Sequence, residues 1–198
     1  MNKKNLFLVL IVSSVLTGSV MVAHSGYFYA KGLVAQILLN NAWEKSKWSG
    51  QIVKPWRGAD TWPVAKLTIH SIGLSDIVLK DAGEESLSLG PSHIFESARP
   101  GSTGNVAIAG HRDSFFRNLK SVKRGDEIEL ESVRVRQHFT VSSIEITDPD
   151  TTHWVENRDD TVITLITCYP FDYIGPAPKR YVVRGNLIKT ESYDISRG

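Results

Sequence analysis

The chain has 198 residues, with 23 lysines and arginines against 21 aspartates and glutamates, a net charge of +2. Acids and bases are interspersed, which excludes the concentrated basic footprint of a nucleic-acid-binding domain. A single cysteine, Cys168, excludes a disulfide scaffold, and scattered histidines give no zinc set of standard spacing, so the body must rest on an ordinary hydrophobic core.

Leu6 to Ala23 is apolar, interrupted only by Ser, Thr and Gly, and follows Lys3 and Lys4. At about 1.5 Å per residue it approaches the roughly 30 Å of a bilayer core. The lysines would hold the N-terminus in the cytoplasm, leaving a single-pass anchor with the rest of the chain outside. A cleaved secretory signal is the rival. Against it, the stretch exceeds a usual signal core, and Met21-Val22-Ala23 is a poor small-x-small site. The expected organisation is an anchor or signal over 1–24, a helical Trp-rich connector over 25–62, a folded domain over 63–190 and a tail over 191–198.

In the connector, Leu33, Val34, Ile37, Leu38 and Trp43 recur at helical spacing, and Ser49-Gly50 should end that helix. Trp43, Trp48, Trp56 and Trp62 fall here, either packing the connector onto the domain or forming an aromatic belt or lid. Beyond Val64 the period changes to two. Strands are expected over 64–69 and 77–79 around a turn at Ser71-Ile72-Gly73, over 105–109, 127–131, 133–141 and 162–168, and from Arg180 to Arg184. One internal helix, 114–121, places Phe115, Phe116, Leu119 and Val122 on one side, with Asp113 or Ser114 as its N-cap. Many short strands with few helices predict a mostly β fold, a closed barrel with one or two short helices.

Three residues carry possible chemistry. Cys168 closes the doubly apolar strand, His111 follows the strand ending at Ala109, and Arg180 opens the strand that returns after the loop from Pro170 to Lys179. A cysteine in an apolar run is often a small buried hydrophobe. At a strand end it can instead be a nucleophile, with an imidazole to move protons and a permanent cation for a developing oxyanion. Arg184 lies on the same strand face as Arg180 and competes for that role. His93, after the Gly90-Pro91 turn, competes with His111.

Thr164-Leu165-Ile166-Thr167-Cys168 followed by Arg180 resembles the TLxTC…R signature of the sortases, and Gly110-His111-Arg112-Asp113 resembles their histidine segment. Cys168-Tyr169-Pro170-Phe171, Gly175-Pro176-Ala177-Pro178, Pro55-Trp56 and Ala59-Asp60-Thr61-Trp62-Pro63-Val64-Ala65 are similar to the subgroup found in Gram-negative bacteria, a class D-like sortase. Gly90-Pro91-Ser92-His93 departs from that pattern, with Ser92 where a glycine is expected.

The resemblance implies an eight-stranded barrel behind a transmembrane helix, and a cysteine transpeptidase. Cys168 would attack the Thr–Gly bond of an LPxTG-like sorting signal on a surface or secreted protein. His111 would serve as acid and base, and Arg180 would hold the substrate and oxyanion. Thr167, His93 and Tyr169 would line the substrate site. It further implies a place on the inner membrane with the catalytic domain on the periplasmic side. No cofactor, calcium site or other metal is expected, and the amine acceptor is left open. A thiol hydrolase and a non-catalytic envelope-binding barrel are the alternatives.

Overall fold

The computed structural model describes residues 3–156 and 159–193. Helix α1 (Lys3–Ser49) is followed by strands β1 (Pro63–Ile69) and β2 (Leu74–Leu79), helix α2 (Glu84–Leu89), and strands β3 (Ser92–His93) and β4 (Asn105–Ala109). Strands β5 (Glu127–Glu131), β6 (Val135–Thr147), β7 (Val162–Tyr169) and β8 (Lys179–Ser192) complete the order, with 3-10 turns at His70–Ile72 and Arg117–Ser121.

The chain divides between Ile37 and Leu38. Through Ile37 the described residues are α1 alone, whose most apolar 18-residue window has a mean hydropathy of 2.4 and is long enough to cross a membrane. Helix α1 runs unbroken from the apolar stretch into the expected connector and ends at Ser49, before Gly50 in the left-handed region (φ 64°). Glycine carries no Cβ penalty there, so it stops the helix at little cost.

In the second unit the eight strands close into a barrel in the order β1-β2-β3-β4-β7-β8-β6-β5. All neighbours are antiparallel except β2–β3 and β4–β7. Alternation decides which side chains enter the barrel: Ala65, Leu67 and Ile69 of β1, Val106 and Ile108 of β4, Ile163 and Leu165 of β7, and Val183 of β8 fill one core. Each such valine, leucine or isoleucine side chain contributes on the order of 1.5–3 kcal/mol by leaving water.

The last turns of α1 pack on the outside. Leu39 and Trp43 cover Ile77 and Leu79, which point outward from β2. Lys47 adds an ion pair with Glu131 at 2.9 Å, and Glu131 also accepts from Arg136 at 3.0 Å and Tyr193 Oη at 2.5 Å. Burial alone would raise the Glu131 carboxyl, but the bonds from Tyr193, Lys47 and Arg136 outweigh it and hold the group below its ordinary range. The tryptophans of this region divide. Trp43 is buried, Trp62 is half-buried with Lys54 and Lys80 over its ring, and Trp48 is 83% exposed.

Several expectations need correction. The segment 114–121 is not an α-helix but a turn leading into the 3-10 stretch Arg117–Ser121, closed by three-residue bonds such as Leu119 N–H to the Phe116 carbonyl (3.1 Å). Phe116, Leu119 and Val122 are nevertheless buried together. Neither Asp113 nor Ser114 is its N-cap; that position falls to Phe116, with no side-chain cap bond. Helix α2 and the two-residue β3 are additional elements. β6 and β8 reach well beyond the expected limits, so Glu191 and Ser192 are strand rather than tail. The rest of the expected tail, 194–198, lies outside the described residues.

Candidate active site

β7 runs through the middle of one barrel wall, between β4 and β8. Ile163 and Leu165 point into the core, so Thr164, Ile166 and Cys168 point out. Cys168, the one free thiol, is half-buried at the C-terminal end of this outer row. Below it the row is covered. Thr164 Oγ1 donates to Asn105 Oδ1 (2.7 Å), and Asn105 Nδ2 donates to the carbonyls of Trp154 (2.6 Å) and Glu156 (3.1 Å) in the β6–β7 loop. That staple seals the lower part of the outer face. Ala109, Ile166, Cys168 and Arg180 remain partly open at the rim, an apolar floor with one thiol and one cation.

The register fixes what flanks the thiol. Cys168 lies directly opposite Arg180 in the antiparallel β7–β8 ladder. Directly opposed residues share a face, with Cβ atoms about 4.5–5.5 Å apart. Arg184 is opposite Thr164 instead, and its guanidinium lies 5.3 Å from the Trp154 ring centroid.

On the other flank, Ala109 is paired in parallel with Ile166, and the Gly110 N–H continues the ladder to the Ile166 carbonyl (3.1 Å). His111 stands two residues past the end of β4, and Cys168 two residues beyond Ile166 on β7. Gly110 explains why this segment keeps its course. A Cβ there would meet the buried Phe116 ring at 2.7 Å, so only glycine lets that ring pack beneath the chain just before His111. His111 is exposed, and its carbonyl accepts from Phe116 N–H at 2.9 Å.

The other sequence-derived candidates lie elsewhere. Thr167 alternates inward, is 3% exposed, and donates its hydroxyl to the Gly110 carbonyl at 2.6 Å. It ties the end of β7 to the histidine segment rather than facing the floor. Tyr169 also turns inward, stacked on Tyr181 at 6.1 Å and edge-on to Phe171. Burial pushes the Tyr181 phenol up, and Tyr169 adds to that rise. His93 is opposite the core residue Ile108 and is 5% exposed, with Nε2 at 2.9 Å from the Ala98 carbonyl and 3.1 Å from Ser97 Oγ. Those contacts commit it to the 94–98 turn.

Sequence reasoning passed over Arg112, whose guanidinium donates to the carbonyls of Tyr173 (2.5 Å) and Gly175 (3.0 Å). Its position beside His111 was visible, but nothing local in sequence shows that it reaches a loop some sixty residues away.

The closed mixed barrel thus carries a thiol at the end of a central strand, a cation opposite it and a histidine just past the end of the neighbouring strand. Residues 67–188 match the family model described as the sortase domain, and the chain belongs to the sortase family. It is 29% identical over 123 residues to Sortase D of Bacillus subtilis, covering 62% of each chain. It is 33% identical over 133 residues to Sortase A of Bacillus anthracis, covering 65% of this chain and 61% of that one. The match therefore spans about three fifths of the length of these relatives. Among solved structures it resembles a Clostridium perfringens Sortase D5 transpeptidase (TM-score 0.65, 25% identity, 79% of this chain and 99% of that one). It also resembles Listeria monocytogenes sortase A (TM-score 0.60, 28% identity, 67% and 91%).

Proposed function

We propose that this protein is a membrane-anchored cysteine transpeptidase that cleaves an LPxTG-like sorting signal between Thr and Gly and transfers the acyl group to an amine. The observation that carries the reading is the register at Cys168, with Arg180 opposite on β8 and the segment leading into His111 tied to the end of β7 through Gly110. Membership of the sortase family supports it.

The chemistry follows from those positions. Cys168 passes its proton to His111, its Sγ attacks the scissile carbonyl carbon, and the developing oxyanion is stabilised by the Arg180 guanidinium, which stays charged at any working pH. His111 gives a proton to the departing glycine amine, leaving a thioester on Cys168. An incoming amine attacks the thioester carbonyl, loses its proton to His111 and expels the thiolate. The half-exposed floor of Ala109 and Ile166 suits an extended apolar peptide better than a charged one. Arg180 Nη1 here rests near the carbonyls of Lys179 (3.2 Å) and Ala177 (3.5 Å), contacts that substrate binding replaces.

The apolar helix preceded by Lys3 and Lys4 fits an inner-membrane anchor with the barrel on the periplasmic side. The Cys168-Tyr169-Pro170-Phe171 and Pro55-Trp56 segments favour the Gram-negative, class D-like subgroup, with a surface or secreted protein as acyl donor.

The test uses the full chain in detergent, a panel of LPxTG-type peptides and a primary amine, with adducts followed by mass spectrometry. A thioacyl species on Cys168 that is absent in Cys168→Ala, and amide product that disappears in His111→Ala, is the expected result. Free acid as the sole product despite added amine would mark a thiol hydrolase. No adduct across the panel, from a folded protein with a reactive thiol, would overturn the assignment.

A further inference from the structure

The loop from Pro170 to Pro178 connects the two residues on which the proposed chemistry turns, leaving Cys168 at one end and delivering Arg180 at the other. Its first half is held by Phe171, whose ring packs edge-on against Tyr181 at 5.1 Å. Beyond that, Asp172, Tyr173, Ile174, Gly175 and Pro176 are all exposed, and Ile174 is 97% exposed. An apolar side chain so exposed contributes no packing to hold the backbone that carries it. Inside the loop, the Tyr173 N–H reaches the Pro170 carbonyl at 3.3 Å, a long and weak bond.

What reaches this tip from outside is Arg112. One of its terminal nitrogens, Nη2, donates to the carbonyls of Tyr173 and Gly175, on either side of Ile174. A guanidinium suits this grip because it is planar, permanently charged and forms charge-assisted bonds stronger than neutral ones. Arg112 is also the residue after His111, so the same short segment carries the imidazole and clamps the loop that delivers the arginine.

We infer that Arg112 is a positioning residue: by clamping the 170–178 loop to the histidine segment, it fixes Arg180 relative to Cys168 and His111. The inference rests on the assignment of Cys168 and Arg180 as the working pair. Arg112 itself need not touch substrate. Its effect passes through the loop, and therefore through Arg180.

The test compares the full chain in detergent with Arg112→Ala, Arg112→Lys, Arg180→Ala and the Arg112→Ala/Arg180→Ala double variant. The readouts are single-turnover thioacylation by an LPxTG peptide that the parent accepts, and alkylation of Cys168 by iodoacetamide, which needs no oxyanion contact. Arg112→Ala should slow thioacylation about tenfold or more, because small misplacements of catalytic groups are costly. Alkylation should stay within about twofold of the parent, and Arg112→Lys should recover part of the loss by satisfying one carbonyl. In the Arg180→Ala background, removing Arg112 should cost little more, since a residue acting through another loses its effect when that other is gone.

Parent-like thioacylation in Arg112→Ala would overturn the inference. So would a loss that multiplies in full onto that of Arg180→Ala, or a parallel collapse of alkylation, which would mean that Arg112 supports the thiol's surroundings directly. Parent-like thioacylation in Arg180→Ala would instead remove Arg180 from the site assignment, whatever Arg112 does.

Discussion

Cys168 and Arg180 face each other directly across the β7–β8 ladder, whereas Arg184 is paired with Thr164. Four residue steps along the strand separate the two arginines, about 13 Å at 3.3 Å per residue. The guanidinium of Arg184 is moreover occupied over Trp154. Arg180→Ala should therefore lower turnover by about 10²–10³, the usual cost of an oxyanion donor. Arg184→Ala should leave most of the turnover and lower thermal stability instead. Steady-state kinetics beside melting curves separate the two, and near-complete loss of activity in Arg184→Ala would exchange their roles.

Thr167 donates its buried hydroxyl to the carbonyl of Gly110, one residue before His111. Thr167→Val keeps the β-branched shape and leaves that carbonyl without its donor. The expected cost is about 1–3 kcal/mol of stability by denaturant unfolding. Because Gly110 leads directly into His111, kcat should fall more than KM changes. Unchanged kcat with lowered stability would confine Thr167 to the fold.

Asp76 alternates onto the inner face of β2, opposite Leu67, between the core residues Leu74 and Val78. Burial pushes its carboxyl up to about 6. Between the ordinary carboxylate value of about 3.9 and that raised value, the folded protein keeps a proton that the unfolded chain releases. Stability therefore falls as pH rises through this window. Asp76→Asn should flatten the fall and raise the melting temperature at pH 7.5 by roughly 2–5 °C, a range already reduced for partial exposure. Scanning calorimetry from acid to neutral pH checks it, and a variant less stable at neutral pH would show that the carboxylate has a partner worth more than its burial costs.

Trp43, 1% exposed, fills the contact between the end of α1 and the outer face of β2, while Trp48 on the same helix projects away. Trp43→Ala should cost about 3–5 kcal/mol, and Trp48→Ala no more than about 0.5 kcal/mol. Urea unfolding of both variants tests whether this part of the connector is integral to the folded domain.

What could be read beforehand followed from strong local signals. The apolar helix, the alternating strands β1 and β5, and the continuously apolar strands β4 and β7 are written in short runs whose period or residue types leave little choice. The rest failed for physical reasons. Helix α2 has six residues, fewer than two turns, too short to display a 3.6-residue period. The upper part of β6 lost its alternation because the register shift at Val141/Ser143 leaves Ser142 as an extra residue and resets which face each later residue meets. The segment after His111 carries helical spacing of apolar residues, yet three-residue and four-residue turns share the same first few positions. Thr167 and His93 were read by neighbourhood in sequence, whereas parity along the strand turns both toward the interior. Arg112 depends on a tertiary reach that no local pattern encodes.

The parallel pairing of β4 with β7 has a consequence in time. Gly110 and Thr167, which join the two strands at the rim, are 57 residues apart, and both β5 and β6 must be laid down between them. Such distant pairings form late, after the nearer ladders have repaid their loop-closure entropy. A nascent or partly folded chain thus carries Cys168 before the segment leading into His111 is tied to β7. Only the finished enclosure brings Cys168, Arg180 and the segment leading into His111 to one rim.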